Sequence, residues 1–223
     1  MKNIIKYIPL LLLTLLASCG KDNYDAPEST LTGRIVYNGN PVQVRGTGEA
    51  VRIYLYQDGW QLHNQIEVFV TQDGSFSAKL FNGEYKLVTR DNNGPWVNVR
   101  DTTTFTVKGS HSLDLNVTPY FTISDENVSL SGTNLSVSFN INQIVSTAQI
   151  EKVYLILSKT QFADEVNNIV RQDVTNIKVG SNTLSVDLSG NAQVAAAQFL
   201  YGRIGVKTQG VGEAIWTPVK KLR

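Results

Sequence analysis

Two tryptophans lie in turn-rich segments beside amide and guanidinium side chains. Trp96 follows a Gly-Pro turn and is flanked by Asn93, Asn98 and Arg100. Sugar rings present flat C–H faces that stack on aromatic rings, while amide and guanidinium groups can hydrogen-bond to sugar hydroxyls. The sequence therefore predicts a sugar-binding platform at Trp96. The alternative, which the sequence leaves open, is that the Trp96 ring caps one end of a hydrophobic core.

Trp60 is a second candidate for the same chemistry. It follows Gln57-Asp58-Gly59 and precedes Gln61, His63 and Asn64. Here too the alternative is an aromatic cap on a core. Trp216 stands before Thr217-Pro218 in a predicted C-terminal strand, and we expect it to be a core residue.

Residues with the spacing of a catalytic or metal site are missing from the sequence. The histidines are His63 and His111, and neither has a metal-ligand spacing. No nucleophile elbow, phosphate loop or zinc motif occurs. A carboxylate pair that meets only in space is not recognisable in a sequence, and Asp91 and Asp101 are better interpreted as turn residues. We expect a protein that is not an enzyme and that uses no metal and no cofactor.

The first residues predict export and lipid anchoring. Lys2 and Lys6 precede a short apolar run over residues 8–16. That run is shorter than the ~20 residues that a membrane-spanning helix needs, so we interpret residues 1–18 as a signal peptide. The sequence Leu16-Ala17-Ser18-Cys19 resembles the lipobox of bacterial lipoproteins, which implies acylation of Cys19. Cys19 is the only cysteine, so no disulfide forms within one copy of the chain.

Residues 19–28 form a polar tether whose acidic character resembles the surface-export signals of Bacteroidetes lipoproteins. This resemblance implies an outer-membrane location, with the protein facing the cell exterior. Asp101-Thr102-Thr103 resembles the O-glycosylation motif of exported Bacteroidetes proteins, which implies a modified Thr102. The alternative is a pair of exposed strand threonines.

Composition predicts an all-β protein with no nucleic-acid partner. The chain has 20 Lys and Arg against 19 Asp and Glu, so it carries no strongly basic surface. Nine tyrosines, eight phenylalanines, seventeen glycines and frequent Val, Ile and Thr favour strands and turns. The residues that follow the signal peptide suffice for two domains with their own cores.

The first domain is predicted over residues 29–118. Val51, Ile53 and Leu55 alternate with the amphipathic residues Arg52, Tyr54 and Tyr56, as in a strand with one buried face. Turn sequences rich in Asn, Asp and Gly separate this run from similar ones. The order Asp73-Gly74-x-Phe76, then Leu80-x-x-Gly83-x-Tyr85-x-Leu87, resembles the transthyretin-like, carboxypeptidase-regulatory-type β-sandwich. In that fold the domain usually serves as a spacer or a binding platform.

The second domain is predicted over residues 119–223, after a junction stiffened by Pro119. Alternation from Leu135 to Ile141 predicts an antiparallel sandwich of immunoglobulin or fibronectin type. Helical spacing of apolar residues over 162–172 predicts one short helix. The fold expected is therefore two tandem antiparallel β-sandwiches with one short helix in the second.

The chain as a whole resembles a Bacteroidetes surface-lipoprotein family associated with SusC/SusD-type glycan importers. The stretches that carry the resemblance include Gly83-x-Tyr85-Lys86-Leu87, Asn93-Gly94-Pro95-Trp96 and Pro119-Tyr120-Phe121. It implies a non-catalytic lipoprotein that captures polysaccharide or oligosaccharide for such an importer. The alternative function is an interaction subunit that docks on the importer without binding glycan.

Overall fold

The structure is a computed structural model that describes residues 25–59 and 61–223. The signal peptide, Cys19 and Trp60 lie outside these ranges, so what the sequence predicts of them stays a prediction. Within the described ranges no helix is both long enough and apolar enough to span a membrane. Regular structure is almost entirely β-strand, arranged in two domains, and the predicted all-β fold is confirmed.

The first domain is a sandwich of two four-stranded sheets. In one sheet, β1 pairs with β5 and β2 along one edge and with β8 along the other. The second sheet has the order β4-β3-β6-β7. The β1–β8 pair is parallel, an exception to the predicted antiparallel pairing, and the other pairs are antiparallel. The strands are β1 (Ser29–Tyr37), β2 (Asn40–Pro41), β3 (Arg52–Gln57), β4 (Ile66–Phe69), β5 (Ser75–Leu80), β6 (Gly83–Thr89), β7 (Thr103–Val107) and β8 (Ser110–Asn116). A single 3-10 turn spans Thr47–Glu49.

The alternation in β3 decides which side chains this sandwich exposes. Val51, Ile53 and Leu55 are fully buried between the two sheets. Because successive side chains of a strand point to opposite faces, Tyr54 and Tyr56 point outward, and both are half-buried.

The second domain pairs a three-stranded sheet with a five-stranded one. The first has the order β13-β10-β9; the second has the order β12-β11-β14-β15, with β16 also paired to β14. The strands are β9 (Phe121–Ser131), β10 (Asn134–Gln143), β11 (Ile150–Ser158), β12 (Val170–Val174), β13 (Gly180–Asp187), β14 (Tyr201–Thr208), β15 (Ile215–Trp216) and β16 (Lys220–Lys221). The one short α-helix, α1 (Ala192–Ala195), begins at Asn191, whose side chain accepts a hydrogen bond from the backbone N–H of Val194.

The short helix does lie in the second domain, but its predicted place at residues 162–172 is wrong. That segment is an irregular loop followed by β12. Asp164 organises the loop, because its buried carboxylate accepts hydrogen bonds from the backbone N–H groups of Val166 and Asn167, both at 2.9 Å. Phe162 and Val166 are exposed rather than packed on a core. A buried aspartate that competes for backbone donors favours a turn over a helix.

Partly buried ion pairs and hydrogen bonds connect the two domains. Arg45 of the first domain makes a two-point contact with Glu213, with N–O distances of 3.1 and 2.7 Å. Glu165 lies 3.5 Å from the same guanidinium, and Thr47 donates a 2.7 Å hydrogen bond from its hydroxyl to Asp164. These contacts join residues more than a hundred positions apart, so spacing along the chain does not reveal them.

Arg203 is a fully buried cation at this interface. Its guanidinium donates to the backbone oxygens of Thr217 at 2.7 Å and Gln72 at 3.1 Å, and it lies over the Trp216 ring. Burial lowers the pKa of Arg203 to about 10, so the group is still protonated at neutral pH. Trp216 is buried, as the sequence predicts.

Candidate functional site

Trp96 belongs to the core and not to a surface platform. Its side chain is 2 % exposed. A Cβ placed on Gly94 would lie only 2.2 Å from indole atoms, so the ring packs directly on the Gly94 backbone. The Trp96 backbone also pairs with Pro119 at the domain junction. The predicted stacking platform at Trp96 is therefore wrong, because neither ring face is open to a ligand.

The amide groups predicted beside Trp96 hold the loop together. Asn93 accepts a hydrogen bond from the Arg52 backbone N–H and donates one to the Ala50 backbone oxygen, both at 2.7 Å. Asn98 accepts from the Asn92 backbone N–H at 2.8 Å and donates to the Asn92 side-chain oxygen at 2.9 Å. Asn93 is thus a structural residue, contrary to its predicted role in binding a ligand. Asn98 is exposed, but its amide is already paired.

Arg100 and Thr102 lie where a ligand can reach them. Both line a surface groove of about 510 Å³ on the outer side of the β4-β3-β6-β7 sheet. The Arg100 side chain is 90 % exposed, and its guanidinium lies 3.6 Å from the Asp91 carboxylate. The structure thus places these two predicted residues together, although away from the face of Trp96.

Two tyrosines that the sequence did not select form the floor of this groove. Tyr54 and Tyr56 project from β3, and their cross-strand neighbours on β6 are Val88 and Lys86. Cross-strand side chains on one sheet face lie about 5 Å apart, so the two rings border an apolar strip along the groove. The signal for this site was present in the sequence, as the alternation of Tyr54 and Tyr56 with the buried aliphatic residues.

Charges around the groove are mostly paired. Lys86 contacts Asp58 at 2.9 Å, and Arg52 contacts Glu67 at 2.6 Å while lying over the Phe69 ring. Arg90 differs from Lys86 and Arg52 in its contacts.

The Arg90 guanidinium lies over the Tyr54 ring, 5.9 Å from its centroid. Among the residues that the structure describes, no carboxylate lies within ion-pair distance of it. Arg90 therefore has donors to offer to a ligand in the groove.

No three His, Asp or Glu side chains meet to hold a metal ion within residues 25–59 and 61–223. The groove instead offers two ring faces, one available guanidinium and a threonine hydroxyl. Stacking on apolar ring faces and hydrogen bonding to hydroxyl groups are the interactions that this set can make.

Comparison with known proteins gives a family. Residues 29–118 match the N-terminal domain model of a protein family of unknown function, DUF3823, and residues 121–221 match its C-terminal domain model. A comparison with curated proteins gave no match.

Solved structures extend this result. A DUF3823 family protein from Parabacteroides merdae is 53 % identical, with a TM-score of 0.87 over 89 % of this chain and 100 % of its own. A family member from Bacteroides ovatus is 32 % identical, with a TM-score of 0.78 over 87 % of this chain and 98 % of its own. A candidate carbohydrate-binding protein from Bacteroides uniformis shares the fold at 19 % identity, with a TM-score of 0.73 over 88 % and 99 % of the two chains. The two family models and the first two structures show that this chain belongs to the DUF3823 family.

Proposed function

We propose that the protein is a non-catalytic carbohydrate-binding lipoprotein that holds glycan in the groove of its first domain. The observation that carries this proposal is the outward pair Tyr54 and Tyr56 with Arg90 lying over the Tyr54 ring. The rings supply stacking faces, while Arg90 and Thr102 supply hydrogen-bond partners for hydroxyl groups. The Bacteroides uniformis protein of the same fold supports carbohydrate as the class of ligand.

The size of the groove suits a short stretch of a glycan. Ligand sites typically enclose about 300–1,000 Å³, and the groove has about 510 Å³. Each aromatic contact contributes about 0.5–1.5 kcal/mol beyond the area it buries. Two rings and one guanidinium therefore contribute only a few kcal/mol, which predicts a weak site with a dissociation constant of roughly 1 mM. Display of many copies on a membrane raises the effective concentration and offsets weak single sites.

The cellular setting is part of the same proposal. Acylation of Cys19 would anchor the protein in the outer membrane, with the groove facing the exterior beside a SusC/SusD-type importer. Metabolic labelling with a palmitate analogue tests the anchor. We expect label on the wild type and none on Cys19→Ala; label on both would contradict anchoring through Cys19.

The binding proposal is tested with a soluble chain that begins after Cys19. Calorimetry against neutral and acidic oligosaccharides is compared for the wild type, Tyr54→Ala/Tyr56→Ala and Phe81→Ala. Phe81 is the matched control, because it is an exposed aromatic residue of the same domain and does not line the groove. We expect the tyrosine variant to lose at least about tenfold in affinity, which corresponds to about 1.4 kcal/mol. Equal affinity of all three proteins would refute the groove, and a wild type that binds no sugar would refute carbohydrate binding there.

A second candidate function is the interaction subunit, and one observation favours it. Phe162 and Val166, in the loop ordered by Asp164, are 48 % and 64 % exposed. Neighbouring exposed apolar side chains are typical of contact sites for proteins. Co-purification of the importer with the wild type, and its loss with Phe162→Ser/Val166→Ser, would favour this function over glycan capture.

A further inference from the structure

The outer face of the β13-β10-β9 sheet has an unusual composition. On β10 the residues Leu135, Val137, Phe139 and Ile141 are buried, so the alternate residues point outward. The registers with β9 and β13 identify the neighbours of those residues on the same face. Apart from Asp187 and the exposed bulge residues Asp125 and Glu126, every outward residue is Ser, Thr or Asn. Outside the bulge, the outward residues are Thr122, Ser124, Asn127, Ser129 and Ser131 on β9; Asn134, Ser136, Ser138, Asn140 and Asn142 on β10; and Ser181, Thr183, Ser185 and Asp187 on β13.

Hydrogen bonds join these side chains both along β10 and across to its neighbours. Asn142 donates to the Ser124 hydroxyl at 3.1 Å, and Asn140 donates to the Asn142 side-chain oxygen at 2.6 Å. Ser185 donates to the Asn134 side-chain oxygen at 2.8 Å. Each group still has donor or acceptor capacity towards solvent, because hydroxyls and amides both donate and accept.

Charged groups approach this face from β9 and from the end of β13. Asp125 and Glu126 occupy the bulge of β9, and Lys220 reaches in from β16 to donate to Asn127. Asp187, at the end of β13, accepts hydrogen bonds from the Ser189 backbone N–H and hydroxyl, both at 2.9 Å. The outward residues of β10, the central strand, include no ionisable side chain.

The size and chemistry of the face decide between classes of partner. Three strands spaced about 4.8 Å apart and about seven residues long give an area on the order of 300 Å². A stable protein–protein contact buries about 800 Å² on each partner and is enriched in aromatic residues and Arg. A face of Ser, Thr and Asn of this size fits one uncharged, hydroxyl-rich chain far better. Such a ligand also brings no charge whose burial would cost free energy.

We infer that this face is a second binding surface, and that its ligand is a neutral polysaccharide chain lying along the sheet. The inference rests on the proposed function for the class of ligand, but not on the tyrosine groove. A polymer long enough to reach both surfaces would bind more tightly than a short oligosaccharide, because the second contact becomes intramolecular.

The test uses affinity gels that contain galactomannan, amylopectin, arabinoxylan or mixed-linkage β-glucan. The proteins are the soluble chain from the previous test, its Tyr54→Ala/Tyr56→Ala variant, Ser138→Glu and Thr32→Glu. Ser138 is central, between Asn127 and Thr183. Thr32 is the matched control, because it is an outward hydroxyl between Ser77 and Ser112 in the middle of β1.

We expect Ser138→Glu to weaken retention by at least about threefold, which corresponds to loss of a single net hydrogen bond of about 0.7 kcal/mol. Thr32→Glu should leave retention unchanged. If Ser138→Glu fails to fold, Ser138→Ala/Thr183→Val makes the same test without a charge, with unfolding followed in parallel.

The outcomes separate the two surfaces. Retention lost with Ser138→Glu but kept with the tyrosine variant supports this inference and counts against the groove. Retention lost with the tyrosine variant but kept with Ser138→Glu overturns the inference and leaves the proposed function in place. A wild type retained by none of the four neutral polymers also overturns it, while calorimetry with oligosaccharides tests the groove on its own.

Discussion

Two outward sheet faces of this molecule have the same antiparallel backbone pairing but expose very different side chains. The face of β4-β3-β6-β7 carries tyrosines, Phe69 and paired charges around Arg90. The face of β13-β10-β9 carries hydroxyls and amides. A ligand on the first face would gain most of its binding free energy from a few rings and one guanidinium. On the second face it would gain small amounts from many hydrogen bonds, each worth about 0.5–1.5 kcal/mol net.

The buried residues of the two sandwiches therefore say little about what the sandwiches bind. The inward residues of both β3 and β10 are apolar and buried, because they pack in the core. Outward residues are free of that demand, so their chemistry is the better guide to ligand class.

The largest effect is expected on stability, at a core residue that does not line the first face. Trp96→Ala removes a buried indole packed on Gly94, and we expect the free energy of unfolding to fall by about 3–5 kcal/mol. Urea unfolding measures this loss. Affinity for oligosaccharide, measured on the folded fraction, should stay unchanged. A stable Trp96→Ala protein with lost affinity would return the site to Trp96 and break the comparison.

The next largest effect is expected on ligand affinity when the Arg90 guanidinium of the first face is removed. Arg90→Met keeps an unbranched side chain but removes the guanidinium, and we expect affinity in the groove to fall by roughly tenfold, since a charged hydrogen bond contributes about 1.5 kcal/mol or more. Arg34→Met is the control, because Arg34 is exposed on the other sheet and paired with Asp114. Calorimetry that found equal losses for both variants would deny Arg90 a specific role.

A smaller difference is expected when hydroxyl groups are removed from the two faces. Tyr54→Phe/Tyr56→Phe keeps both rings, so we expect less than about a twofold loss in the groove, where stacking dominates. Thr183→Val removes one hydroxyl from the second face, and we expect about a threefold loss of polymer retention. If the phenylalanine variant lost more than the valine variant, the two faces would not differ in the way we describe.

The smallest expected effect is on the pH dependence of stability. It concerns Glu165, at the interface between the two domains. Burial raises the pKa of the Glu165 carboxyl above its ordinary value. The folded state therefore takes up this proton at higher pH than the unfolded state, and stability from Glu165 grows as pH falls through the raised pKa and is lost as pH rises. Glu165→Gln removes this gain, so its free energy of unfolding should drop more steeply than that of the wild type between pH 7 and pH 4.5. Urea unfolding at both pH values, with exposed Glu84→Gln as control, measures the difference; parallel curves for Glu165→Gln and wild type would contradict it.

The sequence predicted the fold through local patterns and missed what depends on distant contacts. Alternation in β3 and β10 and the Asp73-Gly74 turn were sufficient for the strands and hairpins. The helix over 162–172 was misplaced because Asp164, buried by its contact with Thr47 of the other domain, captures the backbone donors of that loop. Spacing along the chain does not reveal such a partner.

The candidate site shows the same limit. The sequence left open whether the Trp96 ring was a platform or a cap on the core, and pairing with Pro119 and packing on Gly94 bury it. Arg100 was predicted to bind a ligand and Thr102 to be O-glycosylated; both are exposed and line the groove, and their roles stay predictions. The tyrosines beside them were visible as the outward half of an alternating strand, and only the paired sheet showed which side chains share their face.

The most direct test of the central claim, that the first-domain groove binds carbohydrate, is to observe the tyrosine rings. Nuclear magnetic resonance of the soluble chain with labelled tyrosine would be recorded during titration with the oligosaccharide that binds best in calorimetry. Our account predicts that the Tyr54 and Tyr56 ring signals shift with saturation, while Tyr85, buried in the same domain, stays unchanged. Saturable shifts confined to tyrosines outside the groove, with Tyr54 and Tyr56 unmoved, would contradict it.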